Sequence, residues 1–429
     1  MTGGSPPSER PRPTERLSSA ASAGGRLSGR RIALCITGSI AAYKAVLVLR
    51  LLLKEGAEVD VLLSQSAEHF VRGATFSGLT GRPVHKDMFD PGLGGELHVD
   101  LAARSDLVLI VPATADLLAR LAGGRATDLV TATALCARSK ILAAPAMHPR
   151  MWEHPATQRN LATLAVDGRV GLIGPVHGDV ASGERGVGRM AEPEDVLAAV
   201  LAHFAPRDLG GRHVVVTAGP TVEDIDPVRF VSNRSSGKMG FAIAERAAAR
   251  GARVTLIAGP VNLPTPYGCQ RIDIRSAVAL RGAVWQALSP DLKHADALVM
   301  AAAVGDYRPA ESHATKLKRT EQNLRLDLVQ NPDILAEVGQ ARSERLPILI
   351  GFAVEADSDE RVIEYARGKL STKRVDLVVA NHAADSFGRD TNRAILVGPD
   401  GAEALGELPK TELADRIVDW ISSRMRGAS

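Results

Sequence analysis

The sequence predicts an α/β protein made of two doubly wound, Rossmann-like domains in tandem, and three observations predict it. First, an apolar run, a loop of small residues, an apolar-periodic helix, a glycine stop and a second apolar run follow one another twice, over Ile32 to Leu63 and over His213 to Ile257. That cycle is the βαβ unit, whose crossover is right-handed. Second, 429 residues exceed one core of ordinary size, and a hydrophobic content of 45% can supply two. Third, Thr217 to Gly240 reads TAGPTVEDIDPVRFVSNRSSGKMG: a strand exit, a loop carrying Glu223, Asp224 and Asp226, then a polar turn before an Ala-rich helix. α/β proteins build anion sites in this way. Ser235, Ser236 and Gly237 let backbone N–H groups approach a phosphate at a helix N-terminus, and Lys238 adds charge. It is not a Walker A loop, because Met239 rather than Ser or Thr follows the lysine.

Composition narrows the classes. There are 52 basic and 49 acidic residues, a net charge of +3, so no global field points to nucleic acid or to a membrane surface. Aromatic residues make up only 3%, which argues against base-stacking platforms. No apolar run approaches the roughly 18 residues of a membrane span. Cys35, Cys136 and Cys269 lie far apart, with no CxxC or Cys/His metal spacing, as expected of reduced packing thiols in a cytoplasmic protein.

In order, residues 1–30 are rich in Pro, Ser, Gly and Arg and read as a disordered tail. Their Arg-rich, acid-poor composition also suits a transit peptide, but an amphipathic apolar face is lacking. The first domain is read as 31–205: strand Ile32 to Ile36, loop Thr37-Gly38-Ser39, helix Ile40 to Glu55 and strand Glu58 to Leu63. Strands follow at Leu107 to Val111, Ile141 to Ala143 and Gly171 to Ile173, making five parallel strands. Residues 206–212 form a polar hinge. The second domain, 213–429, is read as strands His213 to Val216, Arg253 to Ile257, Ala297 to Ala302, Pro347 to Phe352 and Leu377 to Ala380, with helices Lys238 to Arg250, Glu360 to Lys369 and Thr411 to Met425.

Ligands of open α/β sheets bind at the carboxyl ends of the strands. Those ends carry Gly38 to Lys44 (GSIAAYK), Ser64, Pro112 to Asp116 (PATAD) and Pro145 to His148 (PAMH). GxGxxG is absent after the first strand, which argues against an NAD dehydrogenase. A second match, Gly186 to Ala191, follows no strand and is discounted. His98 stands between a Gly-rich loop and a helix start; a lone histidine is more often structural than functional. The second half adds Lys316 and Lys318 in KLKR, and Lys369 and Lys373 at i, i+4 spacing, on one face if helical. Such lysines are commonly solvated, yet a nucleoside triphosphate needs a convergent set of cations, and an electron carrier would need none of them.

GSIAAYK, HVDL, PATAD, PAMHxxMW and GxGRMAEP, in that order, resemble the flavin-containing cysteine decarboxylases of the flavodoxin-like class. SNRSSGKMG, AAAVGDYRP, KLKR, NPDIL, GFAVE and KLSTKRVDLVVAN resemble the phosphopantothenate-cysteine ligases. Together they look like the bifunctional decarboxylase/ligase family of bacterial coenzyme A synthesis, from about Ile32 to the last helix.

That resemblance implies FMN in the first domain, with its phosphate at Gly38, Ser39 and Ser64 and with Thr114 beside it. It implies His98 as the histidine that helps oxidise the substrate thiol, and Asp116, Ala146, Met147 and His148 at the substrate. It assigns CTP to Met300, Ala301, Ala302, Asp306, Lys316, Asn331, Pro332, Asp333, Ile334, Phe352, Lys369 and Lys373, and the acyl-cytidylate intermediate to Asn233. The implied reactions are CTP-dependent ligation of 4'-phosphopantothenate with cysteine, with Mg2+ screening the triphosphate, and FMN-dependent decarboxylation to 4'-phosphopantetheine. The implied assembly is a homo-oligomer of trimers joined through dimers, with flavin sites shared between subunits.

The chain departs from the family pattern at Asp116 and His148, where the family often has asparagine, and at Ser182, where it has an active-site cysteine. An alcohol is a far weaker acid than a thiol, so His148 is expected to replace the missing proton donor and Ser182→Ala to be nearly silent. The alternative is a ligase whose degenerate flavin domain serves only in oligomerisation.

Overall fold

The computed structural model describes residues 25–89, 95–318, 324–343, 345–355, 359–382 and 391–426. The chain forms two compact units, Met1–Phe204 and Ala205–Ser429.

In unit 1 the order is β1 (Arg31–Ile36), α1 (Ala42–Lys54), β2 (Glu58–Leu63), α2 (Gly73–Thr80), β3 (Val84–His85), α3 (Leu97–Arg104), β4 (Leu107–Ala113), α4 (Ala115–Ala122), α5 (Leu129–Cys136) and β5 (Ile141–Pro145). There follow α6 (Pro149–Glu153), α7 (Pro155–Asp167), β6 (Val170–Leu172), β7 (Val176–Asp179), β8 (Arg185–Arg189) and α8 (Pro193–Phe204). Six parallel strands in the order β3-β2-β1-β4-β5-β6 make the sheet. Alternation along β1 explains its continuous apolarity: Ile32, Leu34 and Ile36 pack with α1 and α8 on one face, Ala33 and Cys35 with α3 to α5 on the other. Burial pushes the Cys35 thiol well up, as for a packing residue.

Several expectations are corrected here. The five strands become six, because two-residue β3 is too short to carry a period. The helix starts at Ala42, since Gly38 to Ala41 are spent on the turn. The expected strand at Gly171 to Ile173 is Val170–Leu172. Residues 25–30 are ordered, because Leu27 is fully buried and Arg26 holds Glu55 with two bonds of 2.7 and 2.8 Å. The rest of the expected tail, 1–24, lies outside the described residues. Gly186 to Arg189 belong to β8, which pairs antiparallel with β7, so that glycine pair opens no helix.

Unit 2 runs β9 (His213–Ala218), β10 (Val222–Asp224), β11 (Phe230–Ser232), α9 (Lys238–Ala249), β12 (Arg253–Ala258), β13 (Cys269–Asp273), α10 (Ala277–Leu288), β14 (Ala297–Met300), β15 (Tyr307–Pro309) and β16 (Leu328–Gln330). It continues with α11 (Ile334–Ala341), β17 (Ile348–Glu355), α12 (Asp359–Lys373), β18 (Leu377–His382), β19 (Thr391–Gly398), β20 (Gly401–Pro409) and α13 (Lys410–Arg426). The sheet has eight strands, β13-β12-β9-β14-β17-β18-β19-β20, parallel except at the β19-β20 edge. Three of these strands, β13, β19 and β20, exceed the sequence expectation; their polar residues hide the apolar period. Val214 and Val216 face α9 and α13, while Val215 faces α10 to α12. The 206–212 stretch packs onto this unit: Leu209 is fully buried, and Asp208 accepts from Arg250 Nε at 2.9 Å.

Candidate active sites

In unit 1 the carboxyl ends of β2, β1, β4 and β5 stand side by side. Buried Thr37, at the end of β1, donates to the Pro112 carbonyl at 2.7 Å, and Ala146 N–H donates to Ala113 at 3.0 Å, so the three central exits are tied together. A Cβ on Gly38 would lie 2.6 Å from Ser66 Cβ, so only glycine lets the β1 loop pass this close to the β2 exit. Ser39 Oγ accepts from Ala41 N–H at 3.2 Å. Buried Ser64 accepts from Ala67 N–H at 3.2 Å and lies 3.0 Å from Ser66 Oγ. Three hydroxyls and the N–H groups of two turns thus gather in a cradle of the kind that holds a phosphate. Ser66 was missed in the sequence, where nothing but its position two residues after Ser64 marked it.

Thr114 caps α4, accepting from Leu117 N–H at 3.2 Å. Asp116, in the first turn of that helix, has Arg120 Nε 3.0 Å away, and Arg120 also donates to Asp128 at 2.6 Å. The Asp116 contact is close but its N–H is not aimed at the oxygen, and the carboxylate is 75% exposed, so it is a weak ion pair. Half-buried His98 lies in the first turn of α3, at the end of that helix on the carboxyl side of the parallel strands. The segment 90–94 before it lies outside the described residues.

The β7-β8 hairpin closes over the β5 exit. Met147 N–H donates to Gly188 at 3.0 Å, and a Cβ on Gly188 would come within 2.4 Å of the Met147 carbonyl. His148 caps α6, its Nδ1 accepting from Arg150 N–H at 3.3 Å. Its Nε2 lies 3.2 Å from Ser182 Oγ and 3.3 Å from Glu184 Oε2.

In unit 2 a cavity of about 840 Å³ opens at the carboxyl ends of β14, β17 and β18. That volume suits a ligand pocket, typically ~300–1,000 Å³. Its lining includes Asn233 to Gly240, Met300 to Tyr307, Asn331 to Ile334, Phe352, Lys369 and Lys373. Gly237, at φ 73°, precedes α9, and no side chain caps that helix. A Cβ on Gly240 would meet Ala218 Cβ at 2.5 Å, so glycine lets the helix start abut β9. Asn233 Nδ2 donates to Val304 at 2.9 Å, and Asn331 Nδ2 donates to Gly305 at 2.8 Å, fixing both amides in the wall.

The lining also includes Asn381, Asn392 and Lys410, all buried and not singled out from the sequence. Among the described residues the Oδ1 atoms of both asparagines are buried without a hydrogen-bond partner, a state that costs free energy unless another group donates to them.

Lys316 and Lys318 are not in this lining; both are exposed. The cause is Asp226, which accepts from Leu317 N–H at 3.2 Å and fixes the KLKR segment beside β10-β11. Arg319 lies outside the described residues. Asp226 also accepts from the N–H groups of Val228 and Arg229, both at 2.8 Å. Burial opposes its charge, but the Arg229 guanidinium and these N–H donors hold its carboxyl well below the usual carboxylate range. Glu223 accepts from Ala277 N–H at 2.8 Å, and Asp224 takes two bonds from Arg275, at 2.6 and 2.8 Å. All three acids of the central stretch are thus structural. Among the described residues no group of three or more His, Cys, Asp or Glu could hold a metal ion, and no helix is long and apolar enough to cross a membrane.

Residues 20–205 match the Flavoprotein family, and residues 209–425 match the family of the DNA/pantothenate metabolism flavoprotein C-terminal domain. The coenzyme A biosynthesis bifunctional protein CoaBC of Vibrio parahaemolyticus is 42% identical over 405 residues, covering 93% of this chain and 99% of its own. That of Mycobacterium tuberculosis is 45% identical over 415 residues, covering 93% and 98%. A crystal structure of the C-terminal domain of a CoaBC protein is 36% identical and covers 52% of this chain and 99% of its own, with a TM-score of 0.44. Two α/β units, one with a hydroxyl-lined cradle and one with a lysine-bearing cavity, define a two-domain flavoprotein enzyme. The chain belongs to the family of coenzyme A biosynthesis bifunctional proteins, and joins a flavoprotein decarboxylase domain to a ligase domain.

Proposed function

We propose that unit 2 condenses 4'-phosphopantothenate with cysteine at the expense of CTP, and that unit 1 then decarboxylates the product to 4'-phosphopantetheine with FMN. The observation that carries the ligase reading is the cavity of about 840 Å³, with the start of α9 in its lining together with Lys369, Lys373 and two buried amide oxygens that have no partner among the described residues. The substrate carboxylate attacks the α-phosphorus of CTP and pyrophosphate leaves. The cysteine amine then attacks the acyl carbon and displaces CMP. Lys369 and Lys373 would neutralise phosphate charge, Asn331, Pro332, Asp333 and Ile334 would line the nucleotide with Phe352 and the Met300 to Ala302 exit, and Asn233 would hold the acyl-cytidylate. Lys316 stays in this reading on resemblance alone. Magnesium would enter on the triphosphate, bound mainly by phosphate oxygens and water.

In unit 1 the residues fit a flavin phosphate: Gly38 lets the β1 loop close against Ser66, and Ser39, Ser64 and Ser66 offer hydroxyls, with Thr114 at the neighbouring β4 exit. Bound FMN supplies a two-electron acceptor and donor. His98 would take the thiol proton while Ala146 and Met147 shape the substrate pocket. Ile40, Tyr43 and Leu47, spaced along one side of α1 and its lead-in, are 65%, 58% and 45% exposed, which supports a subunit contact and the homo-oligomer of trimers joined by dimers. We place the protein in the cytoplasm. The experiment is an absorption spectrum of the purified protein: oxidised-flavin bands are expected, and a colourless protein that FMN cannot reconstitute would refute the unit 1 reading.

A further inference from the structure

The decarboxylation proposed above leaves one proton without an assigned source. Loss of carbon dioxide leaves an enethiol, and its reduction to the thiol needs a proton on the carbon that carried the carboxylate. Ser182 is a poor source, because an alcohol is far too weak an acid at neutral pH.

The geometry at the β5 exit supplies another. His148 Nδ1 is taken by the Arg150 N–H, so in the neutral ring the proton sits on Nε2. Nε2 faces Ser182 Oγ at 3.2 Å and Glu184 Oε2 at 3.3 Å, and Arg150 donates to the other Glu184 oxygen. This trio is not a nucleophilic triad. In a triad the carboxylate orients Nδ1 while Nε2 takes the serine proton, whereas here both partners face one nitrogen. A carboxylate and a hydroxyl together on Nε2 hold the ring with that nitrogen aimed at the hairpin.

We propose that His148 is the general acid of the closing step of the decarboxylase, with Glu184 as a positioning residue. This rests on the decarboxylase reading of unit 1. The Nε2–H bond of the imidazolium breaks and a C–H bond forms at the carbon that lost carbon dioxide. The neighbouring carbon receives a hydride equivalent, two electrons and a proton, from reduced flavin. The carbon–carbon double bond becomes single, the product is the saturated thiol, and the neutral ring regains its proton from solvent.

The test uses the full-length, FMN-loaded protein with 4'-phosphopantothenoylcysteine, measuring carbon dioxide, bound flavin and product mass. His148→Asn is expected to keep flavin and carbon dioxide release while a product two hydrogens lighter accumulates, with formation of the saturated thiol down roughly 10²- to 10⁴-fold. Imidazole added to His148→Ala should restore part of that rate, which a merely structural histidine would not allow. Ser182→Ala should still give the saturated thiol within a few-fold of the unmodified rate, and Glu184→Gln should slow only the reduction. Saturated thiol from His148→Asn at the unmodified rate would overturn the proposal, as would a Ser182→Ala protein that alone stalls at the lighter product. No carbon dioxide from the unmodified protein would instead overturn the decarboxylase reading on which it rests.

Discussion

Lys373 Nζ lies 2.8 Å from Asp333 Oδ2, joining the last turn of α12 to the residue that caps α11 in the lining of the unit 2 cavity. One of the two cavity lysines on α12 is therefore already paired before any phosphate arrives. Asp333→Asn keeps a capping oxygen for Ala336 N–H but releases the lysine and removes a charge that repels triphosphate. Because the aspartate side chain is 51% exposed, the gain should be modest: KM for CTP falls by about 2- to 5-fold in a pyrophosphate-release assay. A raised KM would mean that Asp333 itself contacts the nucleotide.

Nucleotide choice and the intermediate are tested together. Pyrophosphate release should require 4'-phosphopantothenate and CTP, with ATP much poorer, and Lys369→Gln should weaken it strongly through a lost charge-assisted contact. Lys316→Gln is expected to do the same although Lys316 is exposed and outside the cavity lining; an unaffected Lys316→Gln protein would remove that residue from the reaction. Asn233→Asp should let acyl-CMP accumulate, and failure to trap any would contradict the two-step path.

His98→Asn should leave the flavin spectrum intact and lower carbon dioxide release roughly 10²- to 10⁴-fold, the usual worth of a positioned acid/base group. Loss of flavin from the variant would show that half-buried His98 holds the cofactor rather than the proton.

Central strands were legible because each is buried on both faces: β1, β4 and β9 read as unbroken apolar runs that no loop imitates. The β7-β8 hairpin was not, since VHGD and RGVGR carry no apolar period and its role is to press Gly188 onto Met147. Long motifs marked Asn233, Asn331 and Phe352, whereas Asn392 and Lys410 enter the cavity from β19 and the last helix, with no motif around them. The exposed placement of Lys316 was not legible, because the Asp226 bond to Leu317 N–H that fixes its segment comes from a loop far earlier in the chain, and composition cannot report such a contact. The contact between His148 and Ser182 was likewise invisible: both stood out as departures, and only the hairpin brings them together.

Asp208 gives unit 2 a defined acid sensitivity. Bonds from Arg250, against some burial and helped by Ser422, bring its pKa down to about 2. A depressed carboxylate stabilises the fold above its unfolded pKa of about 3.9, and that contribution disappears as pH falls from about 4 to about 2. Denaturant unfolding should therefore show a stability loss across that window that Asp208→Asn flattens. An identical pH slope in the variant would assign the acid sensitivity elsewhere.

The two halves are tested most directly by one reaction: FMN-loaded protein with 4'-phosphopantothenate, cysteine, CTP and Mg2+, in which pyrophosphate, carbon dioxide and saturated thiol are counted. A bifunctional enzyme should yield pyrophosphate and carbon dioxide in equal amounts, with 4'-phosphopantetheine as the final species. Pyrophosphate with the acyl-cysteine product and no carbon dioxide would contradict the account, leaving a ligase whose flavin domain does no chemistry.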